Sequence, residues 1–433
     1  MQSLIPLIIF FASFALSIAR INRGILLVLF LLPSYIIRLN IFGFPTTALE
    51  MIVLGVIGAW VTTALHKKSW GNPPAHAKPF LIPLALFLIA SICAIAFSPH
   101  TLPALGHWRA FIFEPVLFAW VMVCTFQGNE ENKKKAVWTL ACSLIIPTAY
   151  ALYQKFTGLG IPNEFWAAAD TRRVTSVYGY PNAYALYAGP IAILLLAAIR
   201  TKWDQAANNR TLLKRPAYLI PALEGTLLAL TVIAGIFFTQ SKGGLAGLLA
   251  GMGMLTVREV NKKNILRGFL LTAVIAAFLA TQINLRGIAT VQGGDSVSVR
   301  LSQYRETWKM LKDHPLTGAG LRGYQTAMVP YHTQKHIEIF MYPHNIFLAM
   351  WSELGLLGLI AFVWILFSFF KHSVKSIRHN NLVSNQPFNH AALAAMVTLL
   401  IHGLVDVPYF KNDLAMLFWI IIVLGEPYVR HTS

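Results

Sequence analysis

Apolar runs of about 15 to 25 residues succeed one another from end to end of this chain, each closed by a short stretch where Pro, Gly, Lys, Arg or Asn return. Runs of that length can cross a hydrocarbon layer of ~30 Å as helices. They fall at 2–19, 24–37, 46–65, 80–98, 108–126, 136–154, 183–199, 218–238, 243–257, 268–285, 346–370, 390–406 and 414–426. That makes thirteen spans, or twelve if the two short N-terminal runs are not both full crossings. Within them apolar residues do not alternate with polar ones. "FLIPLALFLIASICAIAF" is continuous, so a membrane barrel is excluded and an all-α polytopic membrane protein is expected.

Composition agrees: 56% of residues are hydrophobic and 12% charged, against about 25% charged in a soluble domain. The net charge of +18 could suggest nucleic acid. The distribution argues otherwise, because most Lys and Arg sit in alternate loops, the pattern of the cytoplasmic face. No nucleic-acid partner is implied. Cys93, Cys124 and Cys142 lie in apolar runs, without disulfide or metal spacing. The N-terminus "MQSLIPLII" has no basic start and no small-residue cleavage pattern, so it reads as a retained span.

Two outward-facing segments are long enough to hold structure, a short one at 155–182 and a large one at 286–343. Half of the Lys and Arg outside the cytoplasmic loops fall in the second. The chain therefore divides into N-terminal membrane helices (1–285), a large periplasmic loop (286–343) and C-terminal membrane helices (344–433). Within the loop, "SVRLSQYRETWKMLKDHPLTG" predicts an amphipathic helix with Trp308, Met310 and Leu311 on its apolar face, stopped at "DHP". Short helices of this kind would roof a cavity.

Four stretches could carry chemistry. In "YPHNIFLAMWSELGLLG" (342–358), His344 and Asn345 follow Pro343 at a helix start. Either they cap exposed backbone N–H groups, or His344 faces a cavity where an imidazole can take a proton. Glu353 lies nine positions on, about half a turn round an ideal helix from His344, and reads as structural. In "RRVTSVYGYPNAYALY" (172–187), Arg172 and Arg173 precede a Pro-Asn helix start. Arg172 is either an interface anchor or an anion ligand. In "FTQSKGGLAGLLAG" (238–251), Lys242 opens a small-residue helix suited to close packing. In "HGLVDVP" (402–408), His402 and Asp406 are spaced i,i+4, for a structural bond or a site. No paired carboxylates, phosphate loop or zinc spacing appears. Arginine without paired acids suits a phosphate ligand, which guanidinium binds through two parallel bonds.

These stretches, in this order and spacing and together with "KDHPLTGAGLRGY", resemble the O-antigen ligase and polymerase family of bacterial envelopes over about 170–410. The resemblance implies about a dozen helices and a periplasmic loop over a cavity, at the inner membrane. It implies a metal-independent, inverting glycosyltransferase without cofactor, moving glycan from undecaprenyl diphosphate to a hydroxyl of lipid A core or another acceptor. The family's catalytic residues fall on His344, Arg300 and Arg173. Arg172, Lys242, Arg305, Asn345 and Tyr304 are expected to bind substrate. Two positions depart from the family pattern. Lys242 stands where Arg is usual, which puts its role in doubt, and Tyr304 replaces a tryptophan. O-antigen ligation is the first expectation. Polymerisation or protein O-glycosylation by the same chemistry are alternatives, and a flippase of lipid-linked sugar is a rival from another class.

Overall fold

The computed structural model describes residues 4–68, 70, 77–257, 296–333, 337–379 and 387–426. The chain begins with α1 (Leu4–Ala19), α2 (Ile21–Phe30), a β-hairpin of β1 (Arg38–Ile41) and β2 (Phe44–Thr47), α3 (Ala48–His66) and α4 (Lys78–Ala96). Next come α5 (Thr101–Trp108), a π-turn at Arg109–Phe113, α6 (Glu114–Phe126), α7 (Glu130–Ser143), α8 (Ile145–Thr157) and the short α9 (Glu164–Ala167). After these stand α10 (Pro181–Asn208), α11 (Pro216–Phe238) and α12 (Lys242–Thr256). Then come α13 (Ser296–Asp313), α14 (Tyr324–Met328), α15 (Ile346–His379), α16 (Pro387–Gly403) and α17 (Asn412–Leu424).

Among the described residues, seven helical segments are long and apolar enough to cross a membrane. α1, α2, α16 and α17 are apolar but shorter. This is a multi-pass, all-α membrane protein, as the apolar runs predict. The run at 268–285 lies outside the described residues. Apolar composition on every side of a helix does not say which helices are inside. Packing does: α10 is buried over 89% of its apolar window, α11 over only 33%. α10 packs against α11, α12, α16 and α7, and all thirteen residues of α17 are buried. On α11, Leu223, Leu227 and Leu230 remain exposed, as suits a lipid-facing surface.

Three details depart from the sequence reading. The hairpin at 38–47, pairing Arg38 with Thr47 and Ile41 with Phe44, is not foreseen by the apolar runs. Trp308, expected on the buried face of α13, is 47% exposed and meets Trp351 edge-on at 5.6 Å. Met310 and Leu311 are buried as expected, joined by Gln303 and Thr307. Finally, α16 ends at Gly403, so Asp406 stands in a loop rather than on the face it was expected to share with His402.

The segment 314–322 docks on α15 through backbone. α15 is broken at Gly355, whose φ of 69° and ψ of −178° suit essentially glycine alone. A Cβ at Gly355 would lie 2.2 Å from the Leu316 carbonyl oxygen, and one at Gly318 2.4 Å from that of Trp351. The break exposes backbone groups that the loop pairs: Ala319 N–H donates to Ser352 O at 2.7 Å and Leu356 N–H to Leu316 O at 3.1 Å. Glu353 completes the clasp, its Oε2 accepting from Arg322 N–H at 2.5 Å. The carboxylate is fully buried and acts as a loop anchor, matching the structural role read for it.

Candidate active site

Asn345 caps α15. Its Oδ1 accepts from the N–H groups of Phe347 and Leu348 at 3.0 and 3.1 Å, while its amide nitrogen donates to Leu404 O at 3.0 Å. His344 is thus relieved of capping. Its backbone is left-handed, with φ of 43°, a conformation uncommon for a residue with a Cβ. Tyr304, on α13, points its hydroxyl at both the His344 carbonyl (2.8 Å) and that of Leu404 (2.9 Å). One phenol therefore ties the roof helix to the two loops that meet beneath it.

The imidazole of His344 lies with Nδ1 3.3 Å from Oδ1 of Asp406. Asp406 is buried, at 4% exposure. It also accepts from Asn182 Nδ2 on Oδ2 at 2.9 Å and from Val407 N–H on Oδ1 at 2.9 Å. Burial alone would raise the carboxyl's pKa. The bond and charge of His344, with His402 and Val407, outweigh it and hold Asp406 well below the usual carboxylate range. An anionic acceptor at Nδ1 fixes the tautomer with its proton there, leaving Nε2 as the basic nitrogen. The ring is about a quarter exposed and leans on Phe340 at 4.9 Å.

The arginines converge on this region. Arg173 donates Nε–H to Thr239 O at 2.9 Å and lies over the Trp166 ring at 5.9 Å. Burial, and then the like charge of Arg300, lower its pKa. Arg300 and Asp406 both act electrostatically on Tyr304. Thus α13, the 168–180 loop, the turn before α15 and the loop after α16 bring Arg300, Arg173, Tyr304, His344 and Asp406 into one locality, although they span more than half of the sequence.

The other predicted residues are placed differently. Arg172 donates to the carbonyls of Ala167 (3.1 Å), Lys155 (3.1 Å) and Phe156 (3.4 Å), stapling its own loop. Lys242 is exposed at the start of α12, where Ser241 provides the cap by accepting from Gly244 N–H at 3.2 Å. Arg305 is exposed on α13. Sequence reasoning missed the His344–Asp406 pair and the part of Asn182. A signal for the first was present: Pro408, two residues after Asp406, argues against helix there and so against an i,i+4 bond to His402.

Residues 227–363 match the family described as O-Antigen ligase. The resemblance carried by the motifs is borne out over this stretch. It includes Lys242, Arg300, Tyr304, Arg305, His344 and Asn345, but neither Arg173 nor Asp406. A curated protein of Rickettsia bellii (strain RML369-C), named "Putative polysaccharide ligase", is 22% identical over 218 residues. These cover 48% of this chain and 51% of that protein. The chain spans about half the length of the curated relative it matches.

Proposed function

We propose that this protein transfers a glycan from a polyprenyl diphosphate, undecaprenyl diphosphate in a bacterial inner membrane, to an acceptor hydroxyl on the periplasmic side. The family match supports a glycan ligation, and ligation of O-antigen to lipid A core is the form of that reaction proposed first. The observation that carries the reading is the His344–Asp406 pair (3.3 Å) beside Arg300 and Arg173, a base next to anion-binding groups.

In the proposed reaction, Nε2 of His344 takes the proton of the acceptor O–H as that oxygen attacks the anomeric carbon. The bond between this carbon and the donor's phosphate oxygen breaks, and the diphosphate leaves with the electron pair. Attack opposite the leaving group inverts the anomeric centre. Asp406 keeps the imidazole oriented and stabilises the imidazolium that forms, in the manner of an orienting carboxylate. Arg300 and Arg173 stabilise negative charge on the departing diphosphate. Neither role needs a metal. A positioned base contributes roughly 10²–10⁴-fold.

The test is a purified transfer assay with a lipid-diphosphate-linked glycan, together with gene deletion. Loss of all long-chain lipopolysaccharide with accumulation of lipid-linked polymer is the expected result. A single-repeat band would instead identify a polymerase, and loss confined to glycoproteins a protein glycosyltransferase. No transfer by the purified protein, with lipid-linked sugar stranded on the cytoplasmic leaflet of the deletion strain, would identify a flippase.

A further inference from the structure

We propose that Lys411 is a positioning residue for this transfer: caged by three tyrosines and set beside two carboxylates, its ammonium holds the Asn182–Asp406–His344 chain in line. The proposal rests on the transfer reaction inferred above and adds a residue to it.

The ammonium lies 4.7 Å from the ring centre of Tyr180, 5.5 Å from Tyr35 and 5.6 Å from Tyr178. A cation over three ring faces is held by the negative centre of each. The rings come from separate elements. Tyr35 belongs to the turn Leu32–Ile36 after α2, Tyr178 and Tyr180 to the loop entering α10. Lys411 itself is the residue before α17, five positions after Asp406. Tyr180 stands two positions before Asn182, which donates to Asp406. One caged ammonium therefore ties the segment that carries Asn182 to the one that carries Asp406.

Location makes a purely local role inadequate. A cation at a helix N-terminus opposes the helix dipole, so Lys411 is not there to stabilise α17. The charges acting on it are those of Asp413 and Asp406, and Oδ1 of buried Asp413 has no hydrogen-bond partner. Around His344 itself stand Asp406 on its own loop and Tyr304 on α13. Asp406 further feels His402 from α16. Arg300 acts on His402 and on Arg173, and Tyr180 faces Asp406 and Asp413. In this set Lys411 is the cation on the Asp406 side.

The experiment uses the full-length protein in phospholipid vesicles with a lipid-diphosphate-linked glycan and a hydroxyl acceptor, and reads kcat/KM against pH. Lys411→Arg is expected to keep the wild-type profile. For Lys411→Met the rate should fall about 10- to 100-fold through misplacement of the base. Tyr180→Leu keeps the charge and opens the nearest wall. Its rate should fall as well, and it carries the test if Lys411→Met does not fold. A wild-type rate and profile in either Lys411→Met or Tyr180→Leu overturns the inference, as does a Lys411→Arg as impaired as Lys411→Met. Failure of the wild type itself to transfer glycan would overturn the underlying reaction instead.

Discussion

Nδ1 of His344 lies 3.3 Å from Oδ1 of Asp406, a residue 62 positions away in another loop. Neither the helix that starts after His344 nor the one that ends before Asp406 places this pair alone. It forms because Tyr304 bonds the carbonyls of both loops and Asn345 bonds Leu404 from the helix cap. A base oriented by a buried carboxylate, at the mouth of a membrane helix, leads to the following expectations.

His344→Ala should abolish transfer while the protein still inserts and accumulates. His344→Asn is the sharper variant. Asn tolerates the left-handed backbone that position 344 requires, so the fold is kept while the proton acceptor is lost. Both should be inactive in a purified assay, with His344→Asn melting near the wild-type temperature. Near-normal activity in His344→Asn would remove the base role.

Asp406→Asn should lower kcat by roughly 10²-fold or more, because an amide can present its N–H to Nδ1 and favour the wrong tautomer. The pH dependence has a definite sign. A carboxyl with a depressed pKa contributes stability above its unfolded value, near 3.9, and loses it only as pH falls through the lower folded value. Between about pH 4 and 7 Asp406 stays ionised, so its titration should not limit activity there. Circular dichroism against pH should show no unfolding step in that range from this carboxylate.

Arg300→Lys and Arg173→Lys should each cost about 10- to 100-fold in kcat/KM, on the scale of one charged hydrogen bond. A single ammonium cannot present two parallel bonds to a phosphate. Wild-type turnover by both variants at low donor concentration would end the phosphate role.

Glu353→Ala should destabilise the loop-to-helix clasp by about 1–3 kcal/mol, since the buried N–H of Arg322 loses its acceptor. Glu353→Gln retains a carbonyl acceptor and should melt closer to the wild type. Equal melting of the two variants would show that the carboxylate does not anchor the loop.

Gly355→Ala should be more damaging than an ordinary helix substitution, because its Cβ would sit 2.2 Å from the Leu316 carbonyl oxygen. Reduced accumulation and greater protease sensitivity within 316–324 are expected. A wild-type digestion pattern would contradict the close approach.

Much of the fold class was legible in the sequence, because crossing a hydrocarbon layer demands long apolar runs and forces helix on them. The amphipathic helix at 296–313, the helix start after His344 and the grouping of Arg173, Arg300 and His344 could likewise be read, the last through the family resemblance. What the sequence could not determine was set by long-range contact. α10 and α11 look alike in composition, yet one is buried and the other faces outward, since lipid and protein interior are equally apolar. Asp406 reads locally as a partner of His402, four positions away, and pairs with His344 only because two loops meet beneath Tyr304. Lys411 reads as an ordinary cation beside a helix, and its cage exists only where the elements carrying Tyr35, Tyr178 and Tyr180 come together. Local pattern fixes periodicity and termini. Which polar groups face each other across the bundle depends on backbone-to-backbone docking, such as that of Gly318 and Gly355, which no single stretch encodes.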